Sequence, residues 1–152
     1  NVVMEGYFRD PDGTAQAIVD GWFHTGDLAV CDAEGYVTIV DRAKDIIISG
    51  GENISSIEVE NVLADHPAVF ECAVVAVPDP QWGEVPRAFV VPRPGQTVTA
   101  EELIAHCRAH LAGFKVPKQI EFRESLPKGG TGKILKEVLR APFWEGMPRR
   151  VH

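Results

Sequence analysis

At 152 residues the chain has room for one domain, or for one domain plus a short piece of another. Its 45% hydrophobic and 24% charged content is ordinary for a globular protein; with no apolar run of membrane-spanning length and no basic-then-apolar N-terminal pattern, no transmembrane segment is expected and the cytoplasm is the default location. The net charge of -7 is uneven, with three Lys/Arg against eight Asp/Glu in residues 1–44, three against ten in 45–112, and nine against four in 113–152; the basic end is broken by glutamates and prolines, which suits phosphate-bearing small molecules better than nucleic acid.

In chain order, Leu28-Ala29-Val30 and Tyr36–Val40 read as strands flanking the turn Asp32-Ala33-Glu34-Gly35, and the alternation of Tyr36, Thr38 and Val40 suggests one buried face. Ile46-Ile47-Ile48 is a short strand ended by Gly50-Gly51. Ser55 with Glu58 has the form of a capping box, opening a helix to about His66 with Ile57, Val59, Val62 and Leu63 as its apolar stripe and Pro67 as its stop. Phe70–Val77 is strand-like, Pro78-Asp79-Pro80 breaks it, and Arg87–Val91 is a second strand ended by Pro92 and Pro94. A second capping box, Thr99 with Glu102, opens a helix to about Ala112, with Leu103, Ile104, Cys107 and Leu111 on its inner side. Gln119–Phe122 is an edge strand, and a glycine-rich loop and a final helix follow. The pattern predicts an α+β fold: a small mixed sheet of about three strands with packed helices, preceded by a β-hairpin that is marginal by itself.

The loop Pro127-Lys128-Gly129-Gly130-Thr131-Gly132-Lys133 runs into the amphipathic Ile134–Leu139. A cation on a glycine-rich loop where a helix begins offers an anion N–H donors and a point charge. It is not a Walker loop, which needs Gly at 127 and a hydroxyl at 134 where this chain has Pro127 and Ile134, so nothing there holds magnesium. Without further motifs Lys133 reads as a solvated loop lysine. His106 and His110 stand four apart on a helix, but no third ligand is near and Cys107 points inward, so no metal site is expected. Cys31, Cys72 and Cys107, odd in number and widely spaced, argue against a disulfide framework.

Further motifs are present. Gly21-Trp22-Phe23-His24-Thr25-Gly26-Asp27, Asp41-Arg42-Ala43-Lys44-Asp45, Gly50-Gly51-Glu52-Asn53-Ile54 and Trp82-Gly83-Glu84 stand before the lysine loop in the order and spacing of the adenylate-forming enzymes, a family of acyl-CoA synthetases, luciferases and peptide-synthetase adenylation domains. Gly6-Tyr7, Pro11 and Thr14 resemble that family's upstream G-Y-x-x-x-P-x-x-T stretch. The Gly50–Ile54 and Trp82–Glu84 wording resembles the CoA ligase branch, and Ala141-Pro142-Phe143-Trp144-Glu145-Gly146 resembles the tail of medium- or long-chain fatty-acyl-CoA synthetases.

The resemblance implies the C-terminal portion of an AMP-forming acyl-CoA synthetase. Residues 1–43 would be the end of a large N-terminal adenylation domain, and 44–152 the small C-terminal domain. Its substrates would be a carboxylic acid, with a fatty acid suggested by the tail, together with ATP, magnesium and CoA; the large domain would be the missing partner. It implies Lys133 as the adenylation lysine, Asp27, Arg42 and Thr25 as nucleotide contacts, Lys44 as the hinge, and Gly50, Gly51 and Trp82 beside the pantetheine arm, with inactivity expected in isolation. A stand-alone CoA- or protein-binding module, and a ligase acting on carrier-protein pantetheine, remain the alternatives.

Overall fold

The computed structural model describes residues 2–147 and divides into two compact units, one ending at Arg42 and one beginning at Ala43. Arg149 and Arg150, part of the basic end, lie outside the described residues.

The first unit opens on a helix that the sequence reading did not include, α1 (Pro11–Ala17). Asp10 caps it by accepting from the Gly13 amide at 2.8 Å, and Pro11 occupies the first turn, where a missing N–H costs nothing. Thr14 Oγ1 accepts from the Tyr7 amide and donates to the Asp10 carbonyl, so the Gly6–Thr14 stretch folds on itself. β1 (Ile18–Val19) and β2 (Trp22–Phe23) pair across Asp20-Gly21, both at positive φ, as a tight hairpin requires. β3 (Asp27–Cys31) and β4 (Val37–Arg42) form a second antiparallel hairpin, whose turn is set by Asp32 Oδ1 accepting from the Glu34 and Tyr36 amides. The buried face expected from Tyr36, Thr38 and Val40 is not observed: Tyr36 is 74% exposed and Thr38 and Val40 are exposed too. A two-stranded ribbon has no second layer of its own to bury a face against.

The second unit is α+β, with a mixed five-stranded sheet, two strands more than expected. After a 3₁₀ turn at Ala43–Asp45 come β5 (Ile47–Ser49) and β6 (Glu52–Ile54), paired through the Gly50-Gly51 turn. α2 (Ser56–Ala64) follows, capped by Ser55 Oγ accepting from the Glu58 amide. β7 (Val69–Asp79) and β8 (Gly83–Pro92) form the long central hairpin, running through Pro78 and Pro86 rather than breaking at the first proline. α3 (Ala100–His110) starts with the full Thr99/Glu102 capping box. β9 (Gln119–Phe122) lies parallel to β8, and β5 meets β8 at Gly83. α4 (Lys136–Arg140) ends the fold.

Both faces of the central hairpin are covered. Val74, Ala76, Ala88 and Val90 face Val59, Leu63, Leu103 and Cys107 of α2 and α3. Ala73, Val75, Phe89 and Val91 face Leu126 and Leu139, with Ile134 and Phe143 packed alongside. The period-two alternation of the strands thus sorts side chains into two cores, and the near-continuous apolar run of β7 follows from its burial on both faces.

Candidate functional site

Lys133 sits on a tight hairpin rather than at a helix start. Gly132 N–H donates to the Gly129 carbonyl and Gly129 N–H to the Lys133 carbonyl, both at 2.9 Å, while Leu135 N–H reaches the Pro127 carbonyl at 2.8 Å. Lys128 and Ile134 bridge the two arms, and α4 begins only at Lys136. Gly132 has φ +79, a value that a side chain would strain. The hairpin is held at both roots: Lys128 Nζ lies 2.6 Å from Glu71, and Lys136 Nζ lies 2.7 Å from both Glu60 Oε1 and Ser56 Oγ. Between these two paired lysines the Lys133 side chain is exposed, and no carboxylate lies within 4 Å of it among the described residues. The arrangement presents one unneutralised cation on a fixed loop.

Gly50, Gly51 and Trp82 come together at one end of the sheet. Gly50 N–H donates to the Trp82 carbonyl at 2.9 Å, and a Cβ on Gly50 would lie 2.7 Å from Trp82 Cε3, so the indole rests directly on this glycine. Asp79 Oδ1 accepts from the Gln81 and Trp82 amides and fixes the turn. Here a cleft of about 800 Å³ is lined by Ile48, Gly51, Trp82, Glu84, Trp144 and Met147, among others. Trp144 was not among the residues singled out from the sequence for this role; its Nε1–H donates to the Ala76 carbonyl at 3.0 Å. Glu84 is buried, with Oε2 accepting from the Ile48 amide at 3.0 Å, and so ties β5 to β8.

In the first unit Asp27 and Arg42 are register partners at one end of the β3–β4 hairpin, with Arg42 Nε 3.6 Å from Asp27 Oδ1. Thr25 Oγ1 accepts from the Asp27 amide at 3.1 Å. The three expected nucleotide contacts are thus neighbours within this unit.

Lys44 lies in the 3₁₀ turn that opens the second unit, and its carbonyl accepts from Arg140 Nη1 at 3.0 Å. His106 Nε2 is within 2.9 Å of the Val62 carbonyl, and His110 Nδ1 is 2.8 Å from the His106 carbonyl. Burial, and then the neighbouring Glu60 carboxylate, push the Cys72 thiol up to about 12, and burial pushes Cys107 up to about 11, so neither serves as a nucleophile near neutrality. No cluster of three His, Cys, Asp or Glu suited to a metal ion occurs among the described residues, nor does any helix long and apolar enough to cross a membrane.

Residues 58–133 match the family described as "AMP-binding enzyme C-terminal domain". The chain is 55% identical over 141 residues to a feruloyl-CoA synthase of Amycolatopsis sp, covering 93% of this chain and 29% of that protein. It is 54% identical over 138 residues to the peroxisomal trans-cinnamate:CoA ligase of Petunia hybrida, covering 91% and 24%. Among solved structures, o-succinylbenzoate CoA synthetase from Bacillus subtilis, in complex with its acyl-adenylate intermediate, superposes with a TM-score of 0.85 at 41% identity over 90% of this chain and 28% of that one. The chain therefore spans under a third of the length of these relatives.

Proposed function

The chain belongs to the AMP-binding enzyme C-terminal domain family, and from that premise we propose that it acts as the C-terminal part of an ATP-dependent acid–CoA ligase, inactive without a large adenylation domain. The first unit, about residues 1–43, would be the end of that large domain, and residues 44–152 the small domain. One observation carries the reading: Lys133 is exposed, with no carboxylate within 4 Å among the described residues, at the tip of a hairpin whose flanking lysines, Lys128 and Lys136, are both paired with carboxylates.

In the first half-reaction a carboxylate oxygen attacks the α-phosphorus of ATP, the P–O bond to pyrophosphate breaks, and an acyl-adenylate forms. Both reactants are anions. The Lys133 ammonium offsets their repulsion and the charge that builds on the phosphoryl oxygens, and a fixed hairpin supplies that charge without reorganisation. Asp27 would accept hydrogen bonds from the ribose hydroxyls, with Arg42 and Thr25 beside it. In the second half-reaction the CoA sulfur attacks the acyl carbonyl and AMP leaves. The second unit turns about Lys44, withdraws Lys133, and offers the cleft of Gly50, Gly51 and Trp82 to the pantetheine arm. Magnesium would arrive on ATP, and we assign no residue of this chain to it. The acid is left as a carboxylic acid: the tail suggested a fatty acid, whereas two relatives are named for feruloyl and cinnamate substrates.

The test grafts this chain in place of the matched segment of the Amycolatopsis feruloyl-CoA synthase. The graft should form acyl-AMP, and the 152-residue chain alone should not. Lys133→Gln in the graft should slow acyl-AMP formation by about 100–1,000-fold, by analogy with loss of one oxyanion donor, while supplied acyl-AMP still passes to CoA. Equal loss of both half-reactions, or no loss, refutes the assignment.

A further inference from the structure

Resting on that reading of Lys44 as a pivot, we infer that Arg140 is a positioning residue that closes the C-terminal side of the hinge. Arg140 is the last residue of α4, and its side chain is 16% exposed. One guanidinium nitrogen, Nη1, donates to the Lys44 carbonyl at 3.0 Å and to Asp45 Oδ1 at 3.2 Å, and the Asp45 carboxylate is itself 13% exposed. Both are charge-assisted contacts, the stronger class of hydrogen bond; the one to Asp45 is part-buried, and the one to the Lys44 carbonyl lies at the surface beside it.

Peptide planarity determines what this contact does. The chain turns only at φ and ψ, and the direction of a carbonyl oxygen is set by the ψ of its own residue. Holding the Lys44 carbonyl on Arg140 therefore fixes the plane of the Lys44–Asp45 peptide within the second unit, and with it φ of Asp45, while ψ of Lys44 still turns the chain that precedes it. Freedom remains on the N-terminal side, at ψ and φ of Lys44 and in the bonds of Arg42 and Ala43. The contact thus sets where the pivot ends and the rigid body begins.

The same helix leads back to the lysine hairpin. α4 starts three residues after Lys133, its first residue is bound to Glu60 and Ser56, and Leu139 is buried in the second core cluster. Lys133, α4 and the far side of Lys44 are therefore one connected piece. A turn about the pivot reaches the Lys133 ammonium without slack in between.

The test has two arms. In the 152-residue chain, trypsin can cut after Arg42, outside the contact, and after Lys44, at the bond the contact holds. Arg140→Met should raise the rate of the second cut relative to the first by about tenfold or more, since the loss of hydrogen bonds to a charged group releases this segment. Arg140→Lys should restore part of the protection, and Asp45→Asn, which keeps the carbonyl bond, should raise the ratio by a smaller factor. An unchanged ratio in Arg140→Met with native far-UV circular dichroism overturns the inference; if that variant does not fold, an unchanged ratio in Asp45→Asn overturns it. In the feruloyl-CoA synthase graft, Arg140→Met should lower kcat for acyl-AMP formation about tenfold or more and leave KM for the acid within about twofold, because the acid pocket is not touched. A proportional loss in both half-reactions, as reduced folding would give, counts against the inference. An inactive unmutated graft would refute the ligase reading instead, and the cleavage ratio would still decide the contact.

Discussion

Gly50→Ala isolates the packing of the cleft floor. Gly50 has φ +60, and a Cβ there would sit 2.7 Å from Cε3 and 3.1 Å from Cζ3 of Trp82. Two costs add. The left-handed backbone penalises an L-residue by about 1–2 kcal/mol, and forcing a methyl into filled space costs about 1–3 kcal/mol. The indole cannot simply back away with its own backbone, because the Trp82 carbonyl accepts from Gly50 N–H at 2.9 Å and the Trp82 amide is held by Asp79 at 2.8 Å. The expected loss is about 2–5 kcal/mol, which at a mid-range urea slope of about 2 kcal/mol/M moves the unfolding midpoint down by roughly 1–2.5 M. Far-UV circular dichroism in urea reads it. The discriminating measurement repeats Gly50→Ala in a Trp82→Ala background, where only the backbone term of about 1–2 kcal/mol should survive, a coupling of at least about 1 kcal/mol. Gly51→Ala is the control, since it too has positive φ, at +91, but open space around it, and its cost should not depend on Trp82. An equal cost of Gly50→Ala in both backgrounds would show that the indole does not rest on this glycine.

Other outcomes follow from the buried groups. Cys72 and Cys107 are raised from 9.0 to about 12 and about 11, so the native state keeps protons that the unfolded state gives up. Their contribution to stability is complete below pH 9 and drains away between pH 9 and about 11–12, and urea midpoints measured across that range should fall less steeply for Cys72→Ala/Cys107→Ala. Lys136→Met removes the cation beside a Glu60 side chain that is only 18% exposed, though Glu60 Oε1 still accepts from the Val74 amide at 2.7 Å, and should cost about 1.5–3 kcal/mol in the same urea assay. Adding Glu60→Gln to Lys136→Met should recover part of that loss, and a further full-sized loss would refute the pairing.

The legible parts of this fold were the local ones. The Thr99/Glu102 box and the Gln119–Phe122 strand are read directly from residues a few positions apart, and both are observed. Asp10 before Pro11, and Asp20-Gly21 between apolar pairs, are equally local signals for α1 and the first hairpin, although neither element is among those expected above. β6 was hidden for a different reason: Glu52-Asn53-Ile54 has little strand character and is a strand only because β5 pairs with it. The last helix was read from Ile134 but begins at Lys136, since the Lys128–Ile134 bridge and the Leu135 amide are committed to the hairpin. In the candidate site the residue types were readable, but their partners were not. Glu84 on Ile48 and Arg140 on Lys44 span 36 and 96 residues, and no periodicity encodes such pairs.

The double-sided burial of the central hairpin bears on how one small unit could serve two half-reactions. Beyond the bulge after Val69, even-numbered residues of β7 anchor α2 and α3, with Val69 itself on that side, and odd-numbered ones anchor the lysine hairpin and α4. The glycine turn and Trp82 stand at the end of the same sheet, tied across β5 and β8 by the buried Glu84 carboxylate. Well-packed interiors deform little, so two tools fixed to one sheet keep their separation while the body turns. On the proposed reading, exchanging a cation for a thiol-delivering cleft then requires only torsions near Lys44 and no repacking, and the ion pairs at both roots of the lysine hairpin serve to keep that motion out of the hairpin itself. Breaking either root should therefore blunt adenylation more than thioester formation, because only the first step depends on where the Lys133 ammonium points.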